Sequence, residues 1–278
     1  MREERIDSHH HLWKYSHADY PWMLQGMESI RRDFLIPELQ QAMQAGKIDG
    51  VVTVQARQSL VETEWLLDLA SRHPFMRGVV GWVPLIDPGV SAHLEKYATH
   101  RKMKAVRHVL HDEADDFYML RDDFNRGIAQ LKKVDLRYDI LIFERHLPQT
   151  LEFVDRHPNQ TFIVDHVAKP KIKEHILSPW REHMRDLARR ENVYCKLSGM
   201  VTEADWKNWR EDDLQFFIDV VLECFGPKRL MFGSDWPVAL VACSYPRWLE
   251  VVERAISSLS ANEGDRLFGG TAKEAYGL

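Results

Sequence analysis

Eight times along this chain a short apolar, β-branched run gives way to a longer stretch with helical spacing, and no other feature constrains the fold as tightly. The runs read as strands at residues 6–11, 50–56, 78–83, 105–109, 139–143, 161–166, 193–198 and 229–235. Between them, helices are expected at 36–45, 60–72, 92–99, 124–134, 147–156, from about 179, at 213–225 and at 246–258, with a short last one at 271–276. The strand runs are continuously apolar rather than alternating, as expected where both faces of a parallel sheet are buried. A single-domain α/β chain over 1–278, folded as a (β/α)8 TIM barrel, is the economical solution. A doubly wound open sheet would call for a glycine-rich phosphate loop after the first strand, and none is present.

Composition narrows the function. The 278 residues carry a net charge of −5 with no basic block, which argues against nucleic acid as a partner. No apolar run reaches the ~18 residues needed to span a membrane. The charged start, Met1-Arg2-Glu3-Glu4-Arg5, leads straight into the first strand, so no signal peptide is expected. Three cysteines without CxxC spacing read as reduced thiols, so a cytoplasmic protein is expected. The expected partner is a small-molecule substrate, with homo-oligomerisation open.

Catalytic groups of a barrel collect at the C-terminal ends of its strands. The first strand ends in Ile6-Asp7-Ser8-His9-His10-His11-Leu12-Trp13. Side chains alternate along a strand, so His9 and His11 share a face and His10 points away as a structural histidine. The sixth strand ends at His166 and the eighth at Asp235, next to the first across the barrel closure. Three imidazoles and a carboxylate suit one divalent ion with a position left for water. His9, His11, His166 and Asp235 are therefore the expected metal ligands, with Asp235 and His166 also catalytic. Arg57, Arg107, Arg145 and Lys196 fall at other strand ends and are candidate substrate clamps. Trp13 is a candidate pocket wall. Glu144 is either a ligand or a partner for Arg145, whereas His108 and His111 are expected to be structural. The irregular segment 17–32 is a candidate lid, and 112–123 reads as an acidic loop.

With these motifs placed, the chain resembles the amidohydrolase superfamily, in its sugar-lactonase-like group of L-fuconolactonases and L-rhamnonolactonases. The resemblance rests on the His9-His10-His11 run, Tyr20-Pro21-Trp22, Val54-Gln55-Ala56-Arg57, Asp165-His166-Val167-Ala168-Lys169-Pro170, Lys196-Leu197-Ser198-Gly199 and Gly233-Ser234-Asp235-Trp236-Pro237. It implies a hydrolase of carbohydrate metabolism that opens a lactone by water attack on its carbonyl. It also implies one divalent metal, zinc first and manganese second, weakly bound or dispensable. Phe143-Glu144-Arg145-His146 offers no histidine at the end of strand five, which points to a mononuclear site. The same group covers hydrolases of aromatic-degradation lactones, and related branches decarboxylate aromatic acids. A silent ligand-binding barrel is the non-enzymatic alternative.

Overall fold

The computed structural model describes residues 3–278; Met1 and Arg2, the first residues of the charged lead-in, lie outside the described residues. Eight strands form one parallel sheet in sequential order: β1 (Ile6–His10), β2 (Gly50–Val54), β3 (Met76–Gly81), β4 (Met103–Val109), β5 (Arg137–Leu141), β6 (Phe162–Val164), β7 (Val193–Leu197) and β8 (Leu230–Phe232). The ring closes through the loop after β8. Trp236 bridges His10, the His11 N–H donates to Trp236 O at 2.7 Å, and the Asp235 N–H donates to His9 O at 2.8 Å. The closing contact thus runs through the residues expected to do chemistry.

Helices α1 (Ile36–Gly46), α2 (Leu60–Arg72), α3 (Val90–Ala98), α4 (Asp122–Leu131), α5 (Leu147–Asp155), α6 (Trp180–Leu187), α7 (Glu211–Arg229) and α8 (Tyr245–Ala255) form the outer layer. Local chemistry sets several of their ends. Pro37 sits in the first turn of α1, where its missing N–H has no intrahelical role. The Ser59 side chain caps α2 and the Ser244 side chain caps α8. A short helix not expected from the sequence, α9 (Ala261–Asp265), leads through a widened turn into α10 (Thr271–Tyr276). No helix among the described residues is long and apolar enough to cross a membrane.

The core is split in two. One part lies between the sheet and the helices, and the other fills the barrel itself. Inside, Ile6, Val52, Val54, Val80, Ala105, Ile163 and Met231 meet Ala272, Ala275 and Tyr276, so α10 plugs the end opposite the catalytic loops. The other end of the interior is polar, and the site begins there.

Candidate active site at the strand ends

His9 and Ile6 both reach the barrel interior although simple alternation would separate them. The β1–β2 register shifts between Asp7 and His10, and that irregularity turns His9 inward. Asp7 stabilises the shift: its carboxylate accepts the N–H of His9 at 3.0 Å, the N–H of Ser234 at 2.9 Å and the Tyr245 hydroxyl at 2.9 Å. His10 faces away, with Nε2 2.8 Å from Thr53 Oγ1, and burial pushes it down to about 3, so it is neutral.

His11 Nδ1 lies 2.8 Å from the Val54 carbonyl. A carbonyl only accepts, so Nδ1 carries the proton and the Nε2 lone pair points into the site. There it meets His9 Nε2 at 3.2 Å and Asp235 Oδ1 at 3.4 Å. His9 Nε2 and His166 Nε2 each lie 3.8 Å from the same oxygen. His166 is turned into the group by Ser198, whose Oγ is 2.9 Å from Nδ1.

Two strand exits present these ligands through left-handed backbone. After β6 stops at Val164, His166, Val167, Ala168 and Lys169 all have φ between +47° and +61°. Each such residue costs of order 1 kcal/mol, so surrounding contacts must fix the turn. The Trp180 indole N–H donates to Val167 O at 2.8 Å, and the Lys169 N–H donates to His166 O at 2.8 Å. Asp235 has φ +55°.

Charge in the polar end of the barrel is closely paired. Lys196 Nζ lies 2.6 Å from Asp139 Oδ2, 2.9 Å from Asp165 Oδ1 and 3.1 Å from His9 Nδ1. Arg107 Nη1 reaches Asp165 Oδ2 at 2.9 Å, and the Tyr276 hydroxyl donates to Asp139 at 2.7 Å. Burial, aided by Lys196, lowers His9 well below its ordinary value, and burial takes His166 to about 3. Both are therefore neutral near pH 7. Burial opposes ionisation of Asp235, but His166 and His11 outweigh it and hold the carboxyl below its ordinary range. The donor set suits a divalent metal: ligand atoms of His9, His11 and Asp235, and of His9, Asp165 and His166, lie within 4.8 Å of one another in two overlapping groups.

The structure brings His9, His11, His166 and Asp235 together but disperses the expected substrate contacts. Trp13 is fully buried against Tyr20, Trp22 and Phe34, with its N–H on Arg32 O, so it has no open face for a pocket. Lys196 is fully buried and braces carboxylates instead of facing substrate. Arg107 is 3% exposed, with one edge 3.4 Å from His9 Nε2. Arg57 pairs with Asp19 of segment 17–32, and Arg145 lies out on the rim with Asp116. Glu144 pairs with Lys171 at 3.1 Å rather than with Arg145. His146 is tied to Asp116 at 2.8 Å, as befits a structural histidine. The sequence reading gave no role to Asp139, Asp165 or Lys169. A lone aspartate opening the apolar run Asp139-Ile140-Leu141-Ile142-Phe143 was a visible signal, because unpaired charges are rarely buried. Between the loops after β5, β6 and β7 opens a cleft of about 620 Å³ whose wall includes Lys169, Glu203 and Trp206; the four clustered residues are not in that wall, and Lys169, three residues after His166, links the two along the chain.

Residues 6–278 match the profile of the Amidohydrolase family. This chain belongs to that family. Similar to this amidohydrolase is an L-fucono-1,5-lactonase from Burkholderia multivorans, 45% identical over 99% of this chain and 96% of the relative. A second L-fucono-1,5-lactonase, from Burkholderia ambifaria, is 35% identical over 98% and 95%. A crystal structure of a Burkholderia multivorans amidohydrolase with bound zinc superposes with a TM-score of 0.96 at 43% identity, covering 99% of both chains.

Proposed function

We propose that this amidohydrolase opens the ring of a neutral sugar lactone of the L-fucono-1,5-lactone type. The observation that carries the reading is the cluster of three imidazole Nε2 atoms around one ionised carboxylate at the strand ends. The full-length similarity to two L-fucono-1,5-lactonases supports the substrate class.

Asp235 is the general base. It takes the proton of the attacking water and returns it to the ring oxygen as the carbon–oxygen bond breaks. Water adds to the carbonyl carbon, the ring oxygen leaves as a hydroxyl, and the product is the open hydroxy acid. Val54 O and Ser198 fix the Nδ1 atoms of His11 and His166, so both imidazoles keep their Nε2 turned toward Asp235. Arg107, at the edge of the cluster, favours the negative charge that develops on the carbonyl oxygen. His9, His11, His166 and Asp235 would hold the divalent ion, with zinc the ion these ligands suit best. When bound it supplies Lewis acidity, acidifying water and polarising the carbonyl.

The test is acid release from L-fucono- and L-rhamnonolactone, measured on the enzyme as isolated, after chelation and after zinc is restored. Turnover of a sugar lactone is expected, with Asp235→Asn slowing kcat by about 10³-fold while the unfolding midpoint holds. Full activity in that variant would remove Asp235 from its role. Carbon dioxide release from an aromatic acid, with no lactone turned over, would replace hydrolysis by decarboxylation.

A further inference from the structure

The cleft carries five basic and four acidic side chains, so its charge nearly cancels. The cancellation is built from pairs. Lys171 Nζ lies 3.1 Å from Glu144 Oε1, and Lys169 is bound to Glu203. Of the cleft's cations, Lys169 follows His166 by three residues, and its backbone N–H donates to His166 O at 2.8 Å. The left-handed turn that aims His166 also sets Lys169, whose Nζ lies 5.7 Å from the Phe143 ring centre. The Lys169 and Glu203 side chains are only 15% and 19% exposed. They are shielded from bulk water, where screening would weaken the pairing.

An unpaired ammonium at this position would anchor a carboxylate entering the cleft. Paired with Glu203, it loses that pull. What remains is an N–H donor beside a carboxylate acceptor, a combination that suits hydroxyl groups, each of which donates and accepts. We propose that Glu203 determines the charge preference of the enzyme. By neutralising Lys169 it tunes the site to neutral polyhydroxylated lactones and against lactones that carry a carboxylate. This rests on the lactonase reading and extends it to the selectivity of the same site.

The experiment compares kcat and KM on a neutral aldonolactone and on glucarolactone, which bears a free carboxylate. Glu203→Gln is expected to raise the carboxylated-to-neutral ratio of kcat/KM by about tenfold or more, chiefly through KM, with a gain that shrinks as salt is added. Glu203→Asp keeps the charge and should keep the wild-type ratio. In the Lys169→Gln, Glu203→Gln double variant the gain should vanish, because the effect acts through Lys169. Should Glu203→Gln fail to fold, Lys169→Gln leaves Glu203 unpaired and must lower the ratio further. A ratio within about twofold of wild type in Glu203→Gln, or a gain that survives in the double variant, overturns the proposal. A wild-type enzyme active on the neutral lactone with an unmoved ratio sinks only this inference. Failure to hydrolyse any neutral lactone sinks the lactonase reading, and this inference with it.

Discussion

Glu62, in the first turn of α2, shows how one buried carboxyl ties a loop to the barrel. Its Oε2 accepts the N–H of Ala56 at 2.9 Å and of Arg57 at 3.0 Å, and its Oε1 accepts the Tyr20 hydroxyl at 3.3 Å. Segment 17–32, expected to act as a lid, is thereby pinned to the exit of β2, with Arg57 adding its pair to Asp19. Burial pushes Glu62 up from 4.5 to about 7. The folded chain therefore keeps a proton that the unfolded chain has released between those values, and stability falls as pH rises across that window. The loss amounts to about 3 kcal/mol at most. Glu62→Gln can keep both backbone contacts with its oxygen and meet Tyr20 with its amide. The variant should gain on wild type by roughly that amount between pH 5 and pH 8 in urea unfolding; parallel pH profiles would remove the carboxyl from this role. At this scale the sequence was half legible. The four residues that the structure brings together stood out because histidine and aspartate at strand ends carry chemistry that apolar neighbours do not. Glu62 did not, since a glutamate in a helical first turn reads as an ordinary surface residue.

The elements were readable to within a few residues, and the exceptions are informative. Helix α2 begins and ends where its apolar spacing and its serine cap indicate. Strands β6 and β8, expected to run through His166 and Asp235, stop at Val164 and Phe232. Their ligands stand on left-handed turns, and nothing in a run of non-glycine residues announces a positive φ. Gly199, after β7, is the partner such a turn requires. It has φ +62°, and a Cβ there would lie 2.4 Å from His166 Nδ1. Gly199→Ala must push the imidazole out of the cluster. We expect kcat to fall about 10- to 100-fold, with weaker retention of an added divalent ion, as for lost support of a metal-site residue. Gly226, at the break in α7, is the control: it has φ +58° with nothing within 4 Å of a built Cβ. With ψ 175° this is a conformation almost confined to glycine, so Gly226→Ala should cost about 1–3 kcal/mol of backbone strain and leave turnover intact. Equal losses of activity in the two variants would mean that the Gly199 effect is global rather than aimed at His166.

The whole barrel is asymmetric along its axis, and the asymmetry couples stability to function. Alternating strands and helices made the architecture legible, and the absence of period-two patterning correctly indicated strands buried on both faces. The pattern could not reveal that one end of the interior would be apolar and sealed by α10 while the other would be filled with charge. Lys196 shows why: in the sequence it is a strand-end cation suited to the rim, whereas the barrel's curvature puts it fully inside, between Asp139 and Asp165. Burial pushes Asp139 up even with Lys196 beside it, a sign of how weakly this carboxylate is solvated. Removing the ammonium would leave Asp139 without a counter-charge and Asp165 with Arg107 alone. Lys196→Met is expected to destabilise the chain by about 3–5 kcal/mol, as breaking a buried pair does. Adding Asp139→Asn should recover part of that loss, because the carboxylate left unpaired is then gone. The comparison pair is Lys171 and Glu144 in the cleft, where the lysine side chain is 54% exposed, so Lys171→Met should change stability by less than about 1 kcal/mol. Denaturant unfolding of the three variants separates the cases. If Lys196→Met unfolds at the wild-type midpoint, the polar end of the barrel is hydrated and its charges stand independently. If it loses stability and Asp139→Asn restores some of it, the ammonium is the strut that keeps His9 and Asp165 in place beneath the catalytic cluster.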